Sequence, residues 1–169
     1  MSVSFYSEAL RTIGHDLDLR GIRTFLIRCE ANLFVVEAGY QSPPAVTPVT
    51  LHYTFCDIER LDREAEERNG HVSPIKDFLS LAEILWAVAT YVSSKRARLL
   101  SVSNTASTGT MPILKFEYET VQSDRVVDAL RGSAIYDLCI SIYKLRGTSS
   151  NNRRYTRFAA LNESDQARH

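Results

Sequence analysis

Three successive stretches of alternating apolar residues constrain this chain more than any other feature. Residues 23–30 place Phe25, Ile27 and Cys29 on one face and Thr24, Arg28 and Glu30 mostly on the other. Residues 33–40 bring Phe34, Val36, Ala38 and Tyr40 together, and 47–55 do the same with Val49, Leu51, Tyr53 and Phe55. A period of two is the mark of a strand with one face on a core. Ala31 and Asn32 suit a tight hairpin, because Asn tolerates a left-handed turn conformation. Pro43, Pro44 and Pro48 remove ladder donors, so 41–48 is expected to be a loop that ends before the third strand. Connections this short make the strands antiparallel, since parallel neighbours need a long crossover.

A sheet with one apolar face needs a covering layer, and the chain supplies helices. Phe5, Ala9, Ile13 and Leu17 recur every four residues and predict a helix over 3–19, with Ser4 or Ser7 as its cap and Gly21 as its stop. Residues 57–69 read as a polar helix with Ile58, Leu61 and Ala65 as its buried stripe, ended by Gly70. Ser73 and Pro74 form a cap and first-turn pair for the next helix. Its apolar face, Phe78, Leu79, Ala82, Leu85, Trp86, Ala89 and Val92, is wide enough to form the centre of the core.

Residues 97–103 and 111–120 are expected to be two further strands. Ser123 is read as the cap of a last helix, in which Val127, Leu130, Ala134, Leu138, Ile142 and Leu145 keep helical spacing across Gly132. Residues 135–145 also alternate, and helix is preferred because the 3.6 period runs on from Asp124. The fold class expected is α+β, an antiparallel sheet of about five strands packed on helices in the order α-β-β-β-α-α-β-β-α. Residues 1–147 form one domain, and 148–169 a polar, flexible C-terminal tail. No internal repeat is visible. The element order resembles that of the small chaperones of bacterial secretion systems, a likeness of order alone.

Composition narrows the function classes. Among 169 residues, 20 basic side chains balance 20 acidic ones, which gives no global field toward nucleic acid or membrane. The apolar run 78–92 contains Glu83 and is too short to span a bilayer of about 30 Å. Cys29, Cys56 and Cys139 are odd in number and far apart, as expected of free thiols in a reducing compartment. The first eight residues lack a basic lead and a long apolar core, so a cytoplasmic protein is expected.

Motifs that carry chemistry are missing from the sequence. There is no glycine-rich phosphate loop, no Gly-x-Ser-x-Gly and no His-Glu-x-x-His. His52 and Cys56 with His71 are the nearest approach to a metal set, yet four residues of strand separate the first two by about 13 Å. Neither metal nor other cofactor is expected. His15, Asp16 and Asp18 point to different sides of a helix and are expected to be a solvated helix end.

Three surface segments remain as candidate sites. The connection 104–110 concentrates Asn104, Thr105, Ser107, Thr108 and Thr110, donors suited to a small anionic ligand. The acidic run over 57–68 is explained by a solvated face, with a docking surface for a basic partner as the lesser reading. In the C-terminal region Arg153, Arg154 and Arg157 interleave with Tyr155 and Phe158, a mixture that can stack on bases and pair with phosphates.

The leading expectation is a non-enzymatic, homodimeric protein-binding or chaperone-like domain. Near-zero net charge and two open sheet edges motivate it, with 111–120 as the strand meeting a second copy. A ligand-binding regulatory domain using 104–110 and a weak RNA binder using the tail are the alternatives.

Overall fold

The computed structural model describes residues 3–42, 45–68, 80–105 and 113–146. Their order is α1 (Val3–Leu19), β1 (Phe25–Cys29), β2 (Leu33–Ser42), β3 (Ala45–Thr54), α2 (Phe55–Arg68), α3 (Leu81–Ser94), β4 (Arg98–Thr105), β5 (Ile113–Glu119), β6 (Arg125–Arg131) and α4 (Ser133–Arg146). The strands form one antiparallel sheet in the order β3-β2-β1-β4-β5-β6. The expected α+β architecture is present, with a sixth strand.

That strand stands where the last helix was expected to begin. Val126, Asp128 and Leu130 are half-buried while Arg125, Val127, Ala129 and Arg131 are exposed, a period of two. Ser123 is not a cap. It adopts φ +64 in the tight turn between β5 and β6, where its N–H donates to the Thr120 carbonyl. Helix then starts beyond Gly132 (φ +50) and runs through 135–145 as preferred. The strand expected over 111–120 is therefore not an edge where it is described (Ile113–Glu119), because β5 pairs with β4 on one side and β6 on the other.

Two other boundaries move. Within the expected 41–48 loop, residues 41–42 end β2 and 45–48 open β3, with Pro48 opposite Gly39. Proline is tolerated there because β3 is an edge. Helix α3 begins at Leu81 with Ser80 as its cap, the hydroxyl oxygen accepting from the Glu83 N–H at 3.3 Å. The expected Ser73–Pro74 start, with Phe78 and Leu79, lies outside the described residues. Ser7 caps nothing, since it is buried inside α1 and its hydroxyl accepts from Thr90 at 3.1 Å.

The molecule repeats its own architecture. Residues 3–68 and 81–146 each run α-β-β-β-α, and the sheet order reads the same from either end. One row of side chains crosses all six strands: Leu51, Val36, Ile27, Val102, Phe116 and Asp128. A pseudo-two-fold axis passes between Ile27 and Val102. The helix ends match as well. The Ile22 N–H donates to the Leu17 carbonyl and that of Gly21 to Asp18, while Ala97 donates to Val92 and Arg96 to Ser93. Gly21 (φ +72) and Arg96 (φ +57) take the same left-handed place in this double bond pattern.

Helices α1 and α3 pack on each other over the axis. A Cβ on Gly14 would come within 2.6 Å of the Ala82 nitrogen, so only glycine allows the approach. Leu10, Ile13 and Leu17 of α1 and Leu85, Trp86, Val88 and Val92 of α3 fill the space between helices and sheet, all buried. Residues facing away from the helices form the other sheet surface. His52, Val35, Arg28, Ser101, Glu117 and Val127 make one of its rows. No helix of the described residues is long and apolar enough to cross a membrane.

Candidate docking edge

Hydrogen bonding at the β5–β6 turn fixes which way the backbone of β6 points. The Thr120 N–H donates to the Asp124 carbonyl at 2.9 Å, which makes Thr120 and Asp124 a hydrogen-bonded pair. Such pairs alternate along an antiparallel ladder, so Val126, Asp128 and Leu130 turn their N–H and C=O groups toward β5. Arg125, Val127, Ala129 and Arg131 turn theirs away from the sheet. These four form an outer edge with exposed side chains, and Val127 is 60% accessible.

The opposite edge is blunted. Pro48 has no N–H to offer, and the Thr54 N–H is taken by the Asp57 carboxylate at 3.0 Å. The Thr54 hydroxyl donates to the same carboxylate at 2.9 Å, and these two bonds hold the Asp57 carboxyl below its ordinary value. Pro48, Thr50, His52 and Thr54 share one direction along β3, and only Thr50 and His52 keep unclaimed outward donors among them.

Beside β6, on the helix side, the Tyr118 hydroxyl donates to the Asp128 carboxylate at 3.1 Å. Burial, then Asp128, raise the Tyr118 hydroxyl above its usual value, so it is no readily ionised base. The Lys95 ammonium stands 4.8 Å over the Tyr91 ring, and its hydrogen bond to Tyr91 raises its pKa.

The sequence candidates fall elsewhere. Asn104 and Thr105 end β4 rather than opening a loop. The Asn104 amide donates to the Arg23 carbonyl at 2.8 Å and ties the start of β1 to β4, a structural clip. Thr105 is exposed opposite Ile113. Ser107, Thr108 and Thr110 lie outside the described residues, as do Arg153, Arg154, Tyr155, Arg157 and Phe158 and the rest of the C-terminal segment.

His52 lies exposed on β3 and Cys56 on α2, and His71 is outside the described residues. Among the described residues no three His, Cys, Asp or Glu side chains gather as a metal site. Cys29 and Cys139 are pushed up to about 12 by burial, which leaves them inert thiols.

The helix end expected to be solvated is a joint instead. Asp16 accepts from the Tyr53 hydroxyl at 2.6 Å and from Arg20 at 2.9 Å. Asp18 accepts from the Leu81 and Ala82 N–H groups at 3.2 and 3.3 Å, and so caps α3 from α1. Burial pushes its carboxyl up despite those donors.

Comparison with protein-family models, with curated proteins and with solved structures gives no match. The resemblance in element order to secretion chaperones thus has no matched structure behind it.

Proposed function

We propose that this chain is a non-enzymatic protein-binding domain that takes an extended segment of a partner onto β6 as a seventh strand. The observation that carries the reading is the outward backbone of Arg125, Val127, Ala129 and Arg131, to which no other described residue bonds over the length of the strand. Main-chain bonds of an added strand give affinity, and alternate side chains give selectivity. An edge of seven residues that no described residue protects is otherwise a liability that proteins blunt, as β3 is blunted here.

Self-pairing fits this edge less well than a foreign strand. The longest two-fold register, centred on Asp128, would set Arg125 against Arg131 of the second copy and Asp128 against itself. Like charges directly opposite are destabilising. Registers centred on Val127 or Ala129 avoid that but pair fewer residues. The homodimer is therefore the competing occupant.

Selection from a displayed library of random peptides, followed by binding to Ala129→Pro, tests the proposal. The substitution removes one outward donor and leaves the β5 ladder in place. Peptides that bind the parent and lose the variant, at unchanged melting temperature, support strand addition. Peptides that bind both equally contradict it. A dimer in light scattering that Ala129→Pro dissolves would assign the edge to a second copy.

A further inference from the structure

We infer that the segment received by β6 is acidic, an extended stretch with carboxylates six residues apart flanking an apolar centre. This rests on the strand-addition reading and names the chemistry of its partner.

The outer row of β6 on the open sheet face is Arg125, Val127, Ala129, Arg131, so two guanidiniums bracket two apolar side chains across about 20 Å. Arg125 keeps 73% of its side chain exposed, and its contact with Glu117 is long at 3.7 Å. Glu119, the cross-strand neighbour of Arg125, is held by Arg98 at 2.6 Å. No ion pair to Arg131 forms among the described residues. Both arginines therefore keep charge to offer a new neighbour.

The helix-facing side of the strand points the same way. Asp128, its one acidic residue, is bonded by the Tyr118 hydroxyl, and exposed Lys95 lies close enough to Asp128 to interact with its charge. Asp124 lies outside the strand, in the preceding turn. An added strand would thus meet Arg125 and Arg131 at its ends and Val127 and Ala129 at its centre.

Opposite charges placed directly across an antiparallel pair are favourable, and like charges are not. A basic segment is opposed at both ends and an acidic one is held at both. Residues of the partner between the carboxylates should be β-branched or hydroxylated, to pack on Val127 and accommodate Asp128.

The test uses three labelled peptides sharing the centre Val-Thr-Thr-Val-Val, with Glu, Gln or Lys at both ends. Fluorescence anisotropy measures each against the parent, Arg125→Glu/Arg131→Glu and Ala129→Pro. The Glu-ended peptide is expected to bind tightest, roughly 2- to 30-fold over the Gln-ended one from two cross-strand ion pairs. The preference should turn to the Lys-ended peptide in the charge-reversed variant. Equal binding of all three, lost in Ala129→Pro, would overturn the acidic inference and leave strand addition standing. No binding by any peptide, or binding indifferent to Ala129→Pro, would overturn both.

Discussion

The two α-β-β-β-α halves share a layout and differ at their outer strands. Equivalent outward positions are Pro48 and Arg125, Thr50 and Val127, His52 and Ala129, Thr54 and Arg131. In the first half a proline and an Asp57 clamp withdraw donors from the edge. In the second half no described residue takes an outward donor, and arginines stand at the ends. Near the axis the halves must agree, because they pack on each other. At the rim nothing enforces agreement, and there they diverge. Function is therefore sought at the rim.

The largest expected effect tests the shared interior. Leu10 and Leu85 occupy equivalent, fully buried places on α1 and α3. Alanine at either should cost about 2–5 kcal/mol by lost burial and cavity formation. Comparable losses in chemical denaturation support one core built by both halves. A cost near zero at one site would show that its half is not part of that core.

Gly14→Ala comes next. The added methyl meets backbone of α3, which cannot rotate away, so overpacking of roughly 1–3 kcal/mol is expected. An unchanged melting temperature would mean that the two central helices do not approach as closely as the pseudo-axis requires.

Acid sharpens the difference between the rims. Asp57 has a depressed pKa, so its clamp on Thr54 is complete above the unfolded value of 3.8 and is lost as pH falls through the folded value. Amide exchange at Thr54, corrected for its intrinsic pH dependence, should therefore lose protection below pH 3.8, while that of Asp128 does not change in step. Asp57→Ala should remove the protection at neutral pH. Protection that survives this substitution contradicts the clamp.

The smallest effect on stability is expected for Pro48→Val, a change on an exposed strand edge, within about 0.5 kcal/mol. Its consequence lies in association. Restoring a donor to β3 should raise the tendency to self-associate in light scattering. A variant as monodisperse as the parent would show that proline is not what blunts this edge.

How far the sequence speaks follows the same division. The meander at 25–40 and the apolar stripe at 81–92 are legible because each buries one face continuously, which writes a clear period. Strand β6 is hidden because its inward row holds Asp128 between Val126 and Leu130. That interrupts the alternation, while Val127, Leu130 and Ala134 mimic a helix across Gly132. The duplication is hidden because equivalent places share burial and not identity: Ile27 with Val102, Leu51 with Asp128. The edge proposed for docking has no local signal. Which strand ends a sheet depends on pairing across the whole chain, and which amides point outward depends on ladder phase.

The central claim is that the outward amides of β6 are free in the isolated protein and become bonded by a partner strand. Residue-resolved hydrogen exchange, without and with the Glu-ended peptide, reads this directly. Val127, Ala129 and Arg131 should exchange quickly alone and slow markedly in the complex, with Val126, Asp128 and Leu130 slow in both. Protection of Val127 and Ala129 already in the free protein, or their continued rapid exchange with peptide bound, would contradict the account.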